Sequence, residues 1–241
     1  MTSKTILITG ASSGIGEASA CRLAQLGHRV ALGARRIDRV QAIAEDIARS
    51  GGKAIAIPLD VTSLADMRDF VAQAEAAFGK VDVLVNNAGV MPLALMSDVR
   101  VDEWNQMIDV NLRGVLNGVA AVLPTMTERK SGHIINIGSV SSYRVDPTAG
   151  VYAATKFAVR AVTEGLRQES RHVRATLISP GLTRTELFDG IAEPGTRAFF
   201  KDMLENTSIS PQAIAEAIAF AIGQPADVDI NELIVRPTTQ V

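Results

Sequence analysis

The sequence predicts an α/β protein: one doubly wound domain with a parallel seven-stranded sheet and helices on both faces. Short apolar segments rich in β-branched residues alternate with helical patterns along the 241 residues. The apolar segments lack strict alternation, which is what strands buried on both faces of a parallel sheet require. No Pro/Ser-rich linker divides the chain, so we predict a single domain over residues 1–241.

Strands are predicted where an apolar run ends at a turn signal. They are Lys4–Thr9, His28–Ala34, Lys53–Pro58, Val81–Val85, Gly132–Ile137, Val173–Ser179 and Glu232–Arg236. Helices are predicted where apolar residues recur with helical spacing between start and stop signals. The first helix follows a glycine turn and ends at Leu26, and another carries Tyr152 and Lys156 and ends at about Arg171. The other predicted helices are Ile37–Ser50, Ser63–Phe78, Val101–Glu128 and Pro211–Ile222.

Two stretches are predicted to be irregular. The long helix contains Gly114 and Pro124, and we expect a bend near one of them. Residues 183–210 show no clear periodicity and form the one connection long enough to be a lid over a bound substrate.

Composition excludes several classes of function. The net charge is −2 with no basic or acidic block, which argues against binding to nucleic acid or to a membrane surface. The single cysteine, Cys21, allows neither an intramolecular disulfide nor a cysteine-based zinc site, and we predict no metal. No segment has the features of a signal peptide or a membrane span, so we expect a cytoplasmic protein.

A glycine turn follows the first strand. It reads TGASSGIG, with Gly10, Gly14 and Gly16 between the strand and the first helix. Glycines let the backbone approach a diphosphate, and the helix N-terminus offers N–H groups and positive dipole to it. Correct placement between strand and helix favours a dinucleotide site.

The end of the second strand indicates which dinucleotide. Here Arg35 and Arg36 follow Ala34, and no carboxylate occurs before Asp38. An acidic residue would favour NAD, whereas arginine binds the 2′-phosphate of NADP through its planar fork of donors. NADP(H) is therefore favoured over NAD(H); the alternative is two solvated arginines on a surface turn.

Tyr152 and Lys156 are four residues apart on a predicted helix and therefore share one face. An ammonium beside a phenol favours the phenolate, so we predict that Lys156 lowers the pKa of Tyr152. A phenol of lowered pKa suits acid–base catalysis.

Three motifs, TGASSGIG, NNAG at Asn86–Gly89 and YAATK at Tyr152–Lys156, together resemble the short-chain dehydrogenase/reductase family, in its TGxxxGxG and YxxxK subgroup. The resemblance covers essentially the whole chain and implies a Rossmann fold. It also implies a carbonyl reductase in which Tyr152 is the general acid, Ser139 orients the carbonyl oxygen, and Lys156 holds the nicotinamide ribose. Asn111, in DVNLRG, matches the fourth catalytic member of the family.

The resemblance extends to further cofactor contacts. By position these are Gly10, Ser12, Ser13, Gly14, Ile15, Gly16, Arg35, Arg36, Asp60, Val61, Asn87, Ala88, Gly89, Tyr152, Lys156, Pro180, Gly181, Thr183 and Thr185. Substrate is expected against Ser139, Ser141, Arg144, Leu187 and Phe188. Arg144 either recognises a carboxylate or forms a surface ion pair. Aldehydes, ketones and 3-oxo or semialdehyde acids are the substrate classes considered, and a homo-oligomer, tetramer or dimer, is implied.

Rival functions remain on the sequence alone. A dinucleotide-binding regulator of the same fold would keep the glycine turn but need not keep Ser139, Tyr152 and Lys156 together. An NAD-dependent alcohol dehydrogenase would use the same chemistry as the reductase. A Rossmann-like methyltransferase would have no use for Arg35 or for the Tyr152 helix. An extended-type epimerase would have a longer substrate region after the sheet.

Overall fold

A parallel sheet occupies the centre of the molecule. The computed structural model describes residues 3–191 and 193–240, apart from the side chains of residues 194, 199 and 200. The described strands are β1 Thr5–Thr9, β2 Arg29–Ala34, β3 Lys53–Pro58, β4 Val83–Asn86, β5 Gly132–Ile137, β6 Val173–Pro180 and β7 Glu232–Val235. They form one seven-stranded sheet in the order β3-β2-β1-β4-β5-β6-β7, and each neighbouring pair is parallel. The predicted fold class is confirmed.

Helices cover both faces of this sheet. The described α-helices are α1 Gly14–Gln25, α2 Ile37–Arg49, α3 Leu64–Phe78, α4 Val101–Met107, α5 Gly114–Glu128, α6 Gly150–Glu169, α7 Pro194–Thr207 and α8 Pro211–Gly223. Apolar side chains of α1, α2 and α8 pack in one core cluster on one face, and those of α3 and α5 pack in a second on the other. None of the described helices is long and apolar enough to cross a bilayer.

The strand order places a cleft at one edge of the sheet. From β1 the chain adds β2 and β3 on one side of the sheet, and from β4 it adds β5, β6 and β7 on the other side. Strands β1 and β4 are therefore neighbours, although two strands separate them in sequence. At such a switch point the loops leaving the two strands diverge, and the crevice at the carboxyl ends of the strands binds ligands.

The long helix is interrupted next to Gly114, one of the two residues near which the sequence suggested a bend. Residues Ile108–Arg113 form a π-helical turn between α4 and α5, immediately before Gly114. Pro124 lies inside α5 without ending it. A π turn adds a residue to the helical repeat and is common at functional sites. The π turn contains Asn111, whose contacts are described below.

The segment 183–210 is more regular than its sequence indicates. A 3₁₀ turn spans Glu186–Gly190, and α7 occupies Pro194–Thr207, so the expectation of an irregular stretch is wrong. Helix α7 begins with a proline in its first turn and with Glu193, whose carboxylate accepts from the backbone N–H groups of Gly195 and Thr196. Proline in the first turn is an ordinary N-terminal signal, but glutamate is not among the preferred N-cap residues, so the sequence signal for this helix start is incomplete.

Candidate active site

A cavity of about 1030 Å³ opens at the carboxyl ends of the strands. Its wall includes every candidate cofactor and substrate residue named from the sequence except Gly16, and every candidate catalytic residue except Asn111. The loops after β1, β2, β4, β5 and β6 each contribute to this wall. The volume is at the upper end of the range for ligand pockets, which suits a dinucleotide together with a small substrate.

The glycine turn needs glycine for two different reasons. Gly10 and Gly14 have φ of +65° and +58°, the left-handed region that L side chains rarely adopt. Gly16 has no such φ, but a Cβ built there would lie 2.4 Å from the Gly10 carbonyl oxygen and 2.7 Å from Asn87 Nδ2. The three glycines therefore bring the first turn of α1 against the turn after β1, as close approach to a diphosphate requires.

Asn87 fastens the ends of β1 and β4 together. Its Nδ2 donates to the carbonyl oxygens of Thr9 and Gly10 at 2.9 and 3.1 Å. Thr9 Oγ1 accepts from the backbone N–H groups of Asn87 and Ala88, both at 3.0 Å. The amide of Asn87 thus supports the turn, and Thr9 is a supporting residue that sequence reasoning missed.

Arg36 lies over the glycine turn. Its guanidinium donates to Ser12 Oγ at 2.9 and 3.1 Å and to Ser13 Oγ at 2.9 Å, while Nη1 meets Glu186 Oε2 at 2.7 Å. Arg39, one turn further along α2, meets the other oxygen of Glu186 at 2.6 Å. Arg36 is therefore held in place, unlike the solvated alternative. Sequence reasoning missed Arg39, although its spacing of three from Arg36 was visible.

A buried polar chain positions α6 beneath the cavity. Asn86 Nδ2 donates to Asn136 Oδ1 at 2.9 Å, and Asn136 Nδ2 donates to Thr163 Oγ1 at 2.8 Å, which joins β4, β5 and α6. All three side chains are buried. Satisfied buried networks of this kind specify one arrangement, and this one places the first turns of α6, with Tyr152 and Lys156, at the cavity wall.

The prediction that Lys156 lowers the pKa of Tyr152 is wrong. Lys156 Nζ lies 5.8 Å from the centre of the Tyr152 ring and donates to the Ile137 carbonyl oxygen at 2.9 Å. Burial raises the pKa of Tyr152 to about 12, and the Ser139 hydroxyl acts in the opposite direction without overcoming it. Burial lowers the pKa of Lys156 to about 8. Desolvation disfavours both charged forms, so the Tyr152 phenol is neutral at physiological pH.

Ser139 lies at the end of β5, beside Tyr152 in the cavity wall. It precedes a short 3₁₀ turn, Val140–Ser142, and its Oγ accepts from Ser141 N at 3.0 Å, while Ser142 Oγ accepts from Ser139 N at 3.2 Å. This reciprocal capping fixes the Ser139 side chain. Ser139 Oγ accepts from the backbone, and its hydroxyl also hydrogen-bonds with Tyr152, so the two hydroxyl groups lie together in the cavity wall.

Asn111 does not line the cavity, but it hydrogen-bonds to residues of the loop and the helix that do. Its amide exchanges two hydrogen bonds with the backbone of Val90, at 2.8 and 2.9 Å, and donates to Thr155 Oγ1 at 3.2 Å. Thr155 in turn donates to the Tyr152 carbonyl oxygen at 2.7 Å. The π turn gives Asn111 this orientation, so the structure shows a positioning residue for the loop after β4 and for α6.

The remaining cofactor candidates lie along two loops of the cavity wall. Asp60 Oδ1 accepts from the backbone N–H and hydroxyl of Thr62, next to Val61. After β6, Thr183 Oγ1 donates to the Gly181 carbonyl oxygen, and Thr185 packs over Gly14. Gln240, which no motif indicated, accepts from Leu182 N at 2.9 Å and also lines the cavity.

The substrate candidates form a mixed wall. Leu187 and Phe188 belong to a small apolar cluster with Tyr152, and Ser141 lies beside Ser139. Arg144 lines the cavity and also forms an ion pair with Asp146 at 3.2 Å. The surface ion pair, one of the two alternatives for Arg144, is therefore present, and recognition of a substrate carboxylate stays a prediction.

The chemistry of the cavity fits a nicotinamide dinucleotide. Ser13 at the start of α1 makes no side-chain capping bond, and its hydroxyl accepts from Arg36 instead, so the Ser13 side chain leaves the first-turn N–H groups open to a ligand. Guanidinium groups lie at the end of β2, where a ribose phosphate is recognised. Among the described residues, no group of three or more histidine, cysteine, aspartate or glutamate side chains is arranged to hold a metal ion.

Comparison with known proteins agrees with this geometry. The family model described as short chain dehydrogenase matches residues 4–194. An uncharacterized oxidoreductase of Staphylococcus saprophyticus is 46% identical over 98% of this chain and 97% of its own length.

Solved structures are similar over nearly the full length. A serine dehydrogenase complexed with NADP+ is 35% identical, with a TM-score of 0.90 and coverage of 98% of this chain and 96% of the other. A short chain dehydrogenase/reductase of Burkholderia phymatum in complex with NAD is 26% identical, with a TM-score of 0.89 and coverage of 96% and 88%. The predicted resemblance is confirmed: the chain is an oxidoreductase that belongs to the short chain dehydrogenase family.

Proposed function

We propose that this chain is an NADP(H)-dependent oxidoreductase that reduces a carbonyl group to an alcohol, with Tyr152 as general acid. One observation carries the proposal: Ser139, Tyr152 and Lys156 line the same cavity as the glycine turn and Arg36. A nucleotide and a small substrate bound there would meet at the catalytic side chains. The proposal treats residues 1–241 as one domain in which residues 183–210 cover the substrate.

The side chains have separable roles. The bound cofactor would supply the hydride. Tyr152 would donate its proton to the carbonyl oxygen as negative charge develops there, and its raised pKa keeps that proton available at neutral pH. Ser139 would donate a hydrogen bond to the same oxygen. Lys156 would bind the nicotinamide ribose, and Asn111 would keep the loop and helix around it in position.

Arg36 and Arg39 support the preference for NADP(H). The end of β2 offers cations and no carboxylate before Asp38. Guanidinium groups bind a phosphate with charge and geometry that a ribose hydroxyl does not match. The NADP+ and NAD complexes among related structures show that relatives use either cofactor.

Cofactor binding and a substrate panel test the proposal. We expect the purified protein to bind NADPH at least about tenfold more tightly than NADH, measured by cofactor fluorescence. We then expect consumption of NADPH, followed by its absorbance, with some members of a panel of aldehydes, ketones and 3-oxo or semialdehyde acids. Equal affinity for the two cofactors would contradict the NADP preference. Tight cofactor binding with no turnover across the panel would favour the non-catalytic regulator.

Exposed apolar side chains support self-association. Ile108, Leu116 and Phe157 are each about two-fifths exposed, on the π turn, α5 and α6. Apolar exposure on neighbouring helices is typical of an interface. We expect a homo-oligomer, a tetramer or a dimer, by light scattering after size-exclusion chromatography; a monomer at micromolar concentration would contradict this.

A further inference from the structure

Glu186 places a carboxylate on the arginines of the proposed 2′-phosphate subsite. Its two oxygens are divided between two cations: Oε2 meets Arg36 Nη1 at 2.7 Å, and Oε1 meets Arg39 Nη1 at 2.6 Å. The contacts join two elements that are far apart in sequence, because both arginines lie at the start of α2 and Glu186 begins the 3₁₀ turn after β6. Glu186 itself lines the cavity.

The two arginine charges at this subsite can balance one phosphate, but they cannot balance a phosphate and the Glu186 carboxylate at the same time. The two guanidinium groups balance a phosphate monoester, which carries about −1.5 to −2 charges. A carboxylate left in the same place would repel the phosphate and compete for the same N–H donors. Arg36 is also held by Ser12 and Ser13, so it remains aimed at the subsite when Glu186 leaves.

The carboxylate is held weakly enough to be displaced. The side chains of Arg36, Arg39 and Glu186 are 46%, 50% and 43% exposed. Exposed ion pairs of this kind change an equilibrium by less than about fivefold each and are screened by salt. A phosphate has more charge and a third acceptor oxygen, so it displaces the Glu186 carboxylate from the arginines. Breaking the two ion pairs of Glu186 reduces the net free energy of phosphate binding.

We infer that Glu186 is a specificity-determining residue, which occupies the 2′-phosphate subsite and is displaced when a 2′-phosphorylated cofactor binds. Glu186 thereby lowers the affinity for NADP(H) while leaving NAD(H) unaffected, and it narrows the preference between the two. This inference rests on the proposed function, since it assigns Arg36 and Arg39 to the 2′-phosphate. Motifs of the family do not indicate it, because the contacts join residues about 150 positions apart.

Two nucleotides that differ only in the 2′-phosphate test the inference. The dissociation constants of 2′,5′-ADP and 5′-AMP are measured by calorimetry for the wild type and for Glu186→Gln. We expect the variant to bind 2′,5′-ADP about three- to tenfold more tightly at low salt, with the affinity for 5′-AMP changed by less than about twofold. The gain should shrink as salt rises, since screening weakens the ion pairs that the variant removes.

Asp189→Asn is the matched control. Asp189 lies in the same 3₁₀ turn, is exposed, and loses the same charge on substitution, but it does not line the large cavity. Its affinity for 2′,5′-ADP should equal that of the wild type. A gain of the same size in Asp189→Asn would show a general charge effect and overturn the inference.

The outcomes separate this inference from the proposed function. An unchanged or weakened affinity of Glu186→Gln for 2′,5′-ADP overturns the inference, even where the wild type prefers NADPH. A wild type that binds NADPH and NADH equally contradicts the proposed cofactor preference. Even in that case, a gain in affinity for 2′,5′-ADP that occurs in Glu186→Gln but not in Asp189→Asn upholds the displacement of Glu186 by the phosphate.

Discussion

Replacing Tyr152 by phenylalanine should lower kcat by about 10²- to 10⁴-fold while leaving the affinity for NADPH nearly unchanged. The change removes one oxygen from a buried side chain and therefore removes the proposed proton donor. The ring remains in its apolar cluster with Leu187 and Phe188, so the cavity wall should persist. Turnover with a responsive carbonyl and NADPH binding by fluorescence provide the two measurements.

Tyr143→Phe is the control for this variant. Tyr143 is the other of the two tyrosines in the sequence, and its hydroxyl meets Glu232 at 3.0 Å beside β7 instead of lining the cavity. It should retain kcat within about twofold, since no proton transfer is assigned to it. Wild-type turnover in Tyr152→Phe would remove Tyr152 from the mechanism.

The same proteins check the pKa of Tyr152 without any substrate. Burial raises the folded-state pKa, so the neutral phenol persists as pH rises through 10, the ordinary value for tyrosine. The tyrosinate absorbance of wild type minus Tyr152→Phe should therefore show no ionisation below pH 10. Ionisation near neutral pH would restore the original prediction that Lys156 lowers the pKa.

Gly16→Ala should weaken NADPH binding by about tenfold to hundredfold and lower the free energy of unfolding by about 1–3 kcal/mol. The new methyl group would lie 2.4 Å from the Gly10 carbonyl oxygen and 2.9 Å from Ala11 Cα. Backbone atoms cannot swing aside as a flexible side chain can, so α1 must move away from the turn that is proposed to hold the diphosphate. Fluorescence titration and urea unfolding measure the two effects.

Gly165→Ala supplies the matched control. Gly165 lies inside α6, and apart from its chain neighbours and the adjacent backbone of α6, no described heavy atom comes within 4 Å of a Cβ built there. Alanine is the better helix former by about 1 kcal/mol, so this variant should be as stable as the wild type or more stable, with unchanged NADPH affinity. Unchanged cofactor affinity in Gly16→Ala would mean that the close approach of α1 to the turn is not needed for binding.

Local patterns carried most of the fold. Strands β3 and β5 have the predicted bounds, and α2 and α3 differ from prediction by one residue at an end, because apolar periodicity and glycine stops act within a few residues. The irregular elements were missed for the opposite reason. The π turn at 108–113 accompanies contacts between Asn111 and Val90, 21 positions away, which no local pattern encodes.

The sequence by itself determined the family, the parallel sheet and the identity of the candidate residues, since motif spacing and residue chemistry are properties of the chain. Tertiary structure alone decided how those residues behave. Desolvation sets the pKa of Tyr152 and depends on everything packed around the side chain. The spacing of Tyr152 and Lys156 therefore predicted a pKa shift in the wrong direction. Likewise, Glu186 reaches Arg36 and Arg39 only because the loops after β2 and β6 meet at one edge of the sheet.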